Sequence, residues 1–308
     1  MLVHADHESY LGLMTDLLAK RPAFINVGPG RSASTWFYKT LSNHTGVGFS
    51  KIKETEYFNT DYDQGPTHYE RFFRSCDAPV IGEVSNLYYA SGECLDRIAS
   101  DLPDVKIIFN VRNPYRLLAS MYGFSKRRGL DLSPQAFLEA PLGLVMGSGY
   151  LRRKRQGSLG LSDSISVLES VALRQHILNL ESRFAPERIY FLLFDQVAES
   201  PSDVIKDVTR FLGIADLQLP EATEGRNAAI VPRMRLIGRL ATLTAASLRK
   251  IGAYDLLTAL HNSSFIKRYL FKSAGSEIDI DFRALASTRE LTSDLHYLEN
   301  RFEISLNR

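Results

Sequence analysis

Four short apolar runs constrain this chain most: Ala23–Gly28 (AFINVG), Pro79–Val84 (PVIGEV), Val105–Val111 (VKIIFNV) and Arg188–Phe194 (RIYFLLF). Each is continuous rather than alternating, as expected of strands buried on both faces inside a helix-covered parallel sheet. Helical spacing fills the intervals, over Ser34–Asn43, Ser91–Ser100, Tyr115–Arg128 and Ser164–Phe184. This alternation predicts an α/β fold with right-handed crossovers and a parallel sheet of four or five strands flanked by helices. After Phe194, Ser200-Pro201 opens a helix that stops at Phe211-Leu212-Gly213, where the glycine suits a left-handed C-terminal residue. No repeat or linker divides the 308 residues, so one domain is expected, with its core over 23–235 and a helical C-terminal extension over 236–308.

Charge narrows the function classes. Lys plus Arg is 37 and Asp plus Glu is 35, a net charge of +2, which argues against a nucleic-acid-binding protein. The two cysteines, Cys76 and Cys94, form no CxxC pattern, so reduced thiols and no metal site are expected. No apolar run approaches the ~18 residues of a membrane span, and the N-terminal stretch carries Asp16, Lys20 and Arg21 among its apolar positions. A cytoplasmic protein without a transmembrane segment follows as the expectation; oligomeric state is not legible.

The basic residues are unevenly spread. Nine Lys/Arg face two acids between Arg112 and Arg155, and nine face one acid between Arg226 and Lys272. Such blocks point to a focused positive cleft. The glycine-rich stretch Ala140–Ser162 holds Arg152-Arg153-Lys154-Arg155, which reads either as a lid that recruits an anionic acceptor or as a solvated loop.

The first run leads directly into Gly28-Pro29-Gly30-Arg31-Ser32-Ala33-Ser34-Thr35-Trp36 and a helix. A glycine-containing strand-to-helix turn aims backbone N–H groups and the helix dipole at one point, an anion site. The Walker pattern fails, since Ala33 and Ser34 stand where its second glycine and its lysine belong. The dinucleotide pattern fails as well, because Ala33 replaces its last glycine. The third run ends in Arg112-Asn113-Pro114, with Ser120 two turns into the helix that follows. Asn113 and Pro114 suit the start of that helix, and Arg112 falls on the sheet edge where such folds bind ligands.

Together these two motifs resemble those of the sulfotransferases that use 3′-phosphoadenosine 5′-phosphosulfate (PAPS). GPGRSASTW is similar to their P-loop-like phosphosulfate loop, and Arg112-Asn113-Pro114 with Ser120 to their 3′-phosphate motif. The strand and helix over Ile189–Ile214 also resemble that family, so the similarity extends over about Ala23 to Arg235. The resemblance implies transfer of a sulfuryl group to an acceptor hydroxyl, leaving 3′-phosphoadenosine 5′-phosphate (PAP), with no metal. Gly30 and the backbone of Ser32, Ala33, Ser34 and Thr35 would hold the phosphosulfate. Arg31 occupies the position of a catalytic lysine, and Trp36 that of an adenine-stacking residue or else a core position on the first helix. Arg112 and Ser120 would bind the 3′-phosphate. An Arg-Lys-Gly motif that completes this site in the cytosolic branch is missing, and Arg226, Arg233 and Arg235 are the candidates to replace it.

The acceptor side rests on Lys51-Ile52-Lys53-Glu54-Thr55-Glu56-Tyr57-Phe58-Asn59, which is similar to a Lys-Glu-x-His-Phe-Phe-Asp segment of the heparan branch. Glu54 takes the place of that branch's base, with Lys53 beside it to hold the phosphosulfate or tune Glu54. Glu56 and Asn59 depart from the pattern. Glu83, at the end of PVIGEV, is the second candidate base or acceptor contact. A carbohydrate acceptor, possibly an anionic saccharide, is the reading the heparan likeness favours; a lipid, a small metabolite or a tyrosine hydroxyl stays open. A non-catalytic nucleotide- or glycan-binding module is the alternative of another class, and a P-loop nucleotide kinase is disfavoured by the missing Walker lysine.

Overall fold

The computed structural model describes residues 20–147, 150–219, 230–232, 271–273, 280–286 and 289–306. Five parallel strands form the sheet: β1 (Phe24–Gly28), β2 (Val47–Phe49), β3 (Val80–Val84), β4 (Lys106–Val111) and β5 (Ile189–Leu193), in the order β2-β3-β1-β4-β5. The four expected strands appear within a residue of their predicted ends. The fifth, β2, is three residues long with Gly48 at its centre, too short to show as an apolar run.

Side chains of the central strands alternate between two cores. Phe24, Ile108 and Leu192 face one side with α1 (Ser34–Leu41) and with the helix Pro201–Leu212. Ile25, Val27, Ile107 and Phe109 face the other. There they meet the apolar stripes of α2 (Gly92–Asp101), α3 (Pro114–Arg127), α5 (Leu173–Glu181) and α7 (Arg289–Phe302). The remaining labelled helices are α4 (Tyr150–Gln156) and α6 (Pro201–Leu212).

Three expectations need correction. The long helix expected over Ser164–Phe184 is broken: Ser166 caps a short turn Val167–Ser170, and α5 begins only at Leu173. Ala172 leaves the helical region at φ −74°, ψ 70°, and Asp294 of α7 accepts from the N–H of Arg174 at 3.0 Å, so tertiary packing supplies the new helix start. The C-terminal extension is not helical throughout, since Phe271–Ser273 (β7) pairs antiparallel with Ile230–Pro232 (β6). The basic run 152–155 is no solvated loop. It lies on α4, and Arg153 is buried against Asp163 (3.0 Å) and Glu56 (3.9 Å). Gly143 makes room for Asp163, because a Cβ there would meet Asp163 Oδ1 at 1.5 Å. Cys76 and Cys94 are both free thiols.

Candidate active site at the carboxyl edge of the sheet

The chain runs outward from β1 to one edge of the sheet and later crosses to the other side, so the order reverses at β1. Ligand clefts in parallel sheets open at that point, outside the carboxyl ends of the strands. The ends of β3, β1 and β4 lie side by side there, and each leads into a sequence motif.

Two buried amides shape the exit from β1. Asn26 Nδ2 donates to Asn110 Oδ1 at 2.9 Å, Gly28 N donates to Asn26 Oδ1 at 3.2 Å, and Asn110 Nδ2 donates to the Pro29 carbonyl at 3.4 Å. Gly28 has φ +107°, and a Cβ on it would lie 2.3 Å from the Asn86 carbonyl, so only glycine fits. Arg31 (φ 69°) and Ala33 (φ 68°) are left-handed without being glycine. Glu54 (φ 66°) and Glu56 (φ 55°) share that conformation, so four of the five such residues described lie in the two motif segments. Strained backbone of this kind concentrates where function fixes geometry.

The loop is built for an anion. Ala33 offers no side-chain cap to the start of α1, and the first turn carries no acid. Ser32 is fully buried, and its Oγ has no hydrogen-bond partner among the described residues. Thr35 is exposed, Ser34 buried, and Trp36 half-buried against the core under α1.

At β4 the Asn113 side chain accepts from the N–H groups of Tyr115 (2.9 Å) and Arg116 (3.2 Å), capping α3. Its Nδ2 donates to the Leu306 carbonyl, tying the C-terminal segment to this motif. Arg112 Nη1 donates to the Arg31 carbonyl at 2.7 Å, and its guanidinium stacks 3.9 Å from the Phe194 ring centroid. Arg31 Nε donates to Ser120 Oγ at 3.3 Å, and its guanidinium lies 5.3 Å from the Phe124 ring centroid. Burial, then the charges of Arg127 and Arg112, lowers the Arg31 pKa to about 10. Arg31, Arg112 and Ser120 thus form one cluster. Arg226, Arg233 and Arg235 lie outside the described residues.

A family model described as the sulfotransferase domain matches residues 22–225. The chain belongs to the sulfotransferase domain family. A stretch of 108 residues, 34% of this sulfotransferase, is 29% identical to a membrane-associated sulfotransferase of Dictyostelium discoideum. It spans under a quarter of that relative, 23% of its length. A solved sulfotransferase from Alicyclobacillus acidocaldarius shares the fold, with a TM-score of 0.53 and 20% identity over 81% of this chain and 100% of that one. Among the described residues of this sulfotransferase no helix is long and apolar enough to cross a membrane.

The two carboxylates proposed from the sequence have different surroundings. Glu54, half-buried, accepts from Lys53 Nζ at 2.8 Å and Asn86 Nδ2 at 2.6 Å, and its N–H donates to the Val84 carbonyl at 2.8 Å. Glu83 is fully buried. Its Oε1 accepts from Thr55 Oγ1 (2.6 Å), Ser85 Oγ (2.6 Å) and Tyr88 OH (2.8 Å), and its Oε2 from Tyr69 OH. Burial first, then the Glu83 charge, holds the Tyr69 and Tyr88 pKa values well above the usual phenol range, so both remain donors. Thr55 N also donates to Ser85 Oγ at 3.1 Å, which links the Glu54 segment to the end of β3.

Asn26 and Asn110 were not singled out in the sequence. Their only signal is an amide in the middle of an otherwise apolar strand, where burial obliges it to find a partner. The Glu83 hub was signalled in part by Ser85 and Tyr88, two and five residues further on. Tyr69 had no signal, since only folding brings it there.

Proposed function

We propose that this sulfotransferase takes its sulfuryl group from PAPS and passes it to an acceptor hydroxyl. One observation carries this reading: Arg112 and Ser120 both bond to Arg31, at 2.7 Å and 3.3 Å, so the two anion motifs form one cleft with cations for both ends of a doubly phosphorylated adenosine. The residues fit such a donor. A buried unpartnered Ser32 hydroxyl and an uncapped helix start suit the phosphosulfate, and Arg112 with Ser120 suits the 3′-phosphate.

The donor supplies an activated sulfur whose bond to the bridging oxygen breaks as the acceptor oxygen attacks from the opposite side. Glu54 accepts the acceptor's proton, since it is the carboxylate with solvent access and only two donors engaged in the printed contacts of its Oε1. Lys53, 2.8 Å from Glu54, keeps that carboxylate ionised and oriented. Backbone N–H groups of the loop and the Arg31 guanidinium stabilise charge developing on the departing phosphate. Arg31 stays charged in this role and donates no proton. Glu83, with four hydroxyls on it, holds the Glu54 segment in place through Thr55 and Ser85. The Lys53-Glu54 segment's likeness to the heparan branch supports a carbohydrate acceptor.

Calorimetry with PAP, ATP and AMP tests the donor. PAP should bind far more tightly than the other two; equal affinity for PAP and AMP removes the role given to Arg112 and Ser120.

A further inference from the structure

Helix α3 ends at Arg127 in a run of three basic residues, Lys126, Arg127 and Arg128. The outer two have evident duties. Lys126 pairs with Asp131 at 3.0 Å. Arg128 donates to the carbonyls of Val145 (2.7 Å) and Gly147 (2.9 Å), which fastens that segment beside the phosphosulfate loop, where Met146 fills the space next to Gly30.

Arg127 differs from both. It is half-buried, yet no hydrogen bond or ion pair engages it among the described residues. Desolvation alone holds its pKa below the ordinary arginine value. A guanidinium removed from water without an anion costs free energy, and proteins normally place a partner against it.

The helix fixes where Arg127 lies. It is seven residues beyond Ser120, so on the same face about 10 Å further along the axis. Phe124 occupies that face between them, with the Arg31 guanidinium 5.3 Å from its ring centroid. Arg127 is close enough that its charge is felt at Arg31, more strongly than that of Arg112. Neither Arg31 nor Arg127 is paired with a carboxylate among the described residues. Two desolvated guanidiniums brought near each other, with no acid between them, are stable together only with a shared anion.

We propose that Arg127 and Arg31 form an oxyanion site on the rim of the donor cleft, taking a phosphate, sulfate or carboxylate group. The site deepens the sulfotransferase reading and rests on it. The oxyanion is either the donor's 3′-phosphate, held also by Ser120, or an anionic substituent of the acceptor. In the first case Arg127 supplies the cation sought in Arg226, Arg233 and Arg235; in the second it selects acidic or already sulfated acceptors.

The test compares wild type, Arg127→Gln and Arg127→Lys by calorimetry, with PAP, with AMP, and then with inorganic sulfate on the PAP-saturated protein at fixed ionic strength. If the site holds the 3′-phosphate, Arg127→Gln weakens PAP at least tenfold while AMP changes less than twofold. If it holds an acceptor anion, PAP affinity stays and sulfate binding to the PAP-loaded protein is lost. Arg127→Lys should restore part of either effect. PAP affinity and sulfate response both unchanged in Arg127→Gln overturn the proposal, as does a wild type whose PAP complex binds no sulfate when Arg127→Gln keeps full PAP affinity. A wild type that binds PAP no better than AMP sinks the donor reading instead, and sulfate titration of the nucleotide-free wild type and variants then decides Arg127 separately. Melting temperatures separate a binding loss from a folding loss; if Arg127→Gln melts early, the Arg127→Lys comparison carries the decision.

Discussion

Arg112 reaches back from the end of β4 and donates from Nη1 to the carbonyl of Arg31, 2.7 Å away, so one guanidinium braces the loop that follows β1. The same side chain stacks on Phe194 at the end of β5. Arg112→Ala removes the brace and a cation together. PAP affinity should fall by ~2–4 kcal/mol, the scale of breaking a desolvated charge pair. AMP affinity should fall much less, and calorimetry with both nucleotides reads the difference.

Replacing Glu54 by Gln keeps the shape and removes the proton acceptor. Turnover should drop by ~10²–10⁴-fold with PAP affinity nearly unchanged. Glu83→Gln should act on stability first, because an amide nitrogen cannot accept from hydroxyls that now donate to a carboxylate. A loss of ~1–3 kcal/mol in denaturant unfolding is expected from the mismatched buried donors. Near-normal turnover in Glu54→Gln, with a collapse in Glu83→Gln that leaves stability intact, would exchange the two roles.

The basic run on α4 should divide sharply. Arg153→Ala leaves Asp163 as a buried carboxylate without its cation, an uncompensated charge that costs ~3–5 kcal/mol. Urea unfolding should show that loss. Lys154→Ser with Arg155→Ser, both at exposed positions, should change stability by less than ~0.5 kcal/mol.

Asp294 gives the protein a pH dependence. Burial raises its pKa to about 6, against the opposing effect of backbone N–H groups on α5 and the Arg174 charge. Its Oδ2 has no hydrogen-bond partner among the described residues. A folded pKa above the unfolded value of ~3.9 means that the native state holds the proton longer, so stability falls as pH rises from about 4 to 6 and then levels. Asp294→Asn keeps an oxygen for the Arg174 N–H and abolishes the titration. It should melt higher than wild type at pH 7.5 and lose that advantage by pH 4. A constant difference across that range would assign the pH response to other groups.

Local order along the chain determined the strands, the motifs and the layered α/β arrangement. Continuous apolar runs specify strands buried on both faces whatever lies beside them, and a glycine turn before a helix specifies an anion site by backbone geometry alone. The family likeness was legible for the same reason, since GPGRSASTW and Arg112-Asn113-Pro114 are contiguous. Tertiary structure decided which charges are spent inside the protein. Arg153 reads as one of four equivalent cations, and only the fold brings Asp163 and Glu56 against it. Glu83 reads as a rival to Glu54 until Tyr69, fourteen positions away, closes over it. Asp294 breaks a helix more than a hundred residues upstream, which no local pattern at Ala172 announces. Burial and charge pairing depend on neighbours distant in sequence, whereas strand, turn and cap preferences depend on neighbours a few residues away.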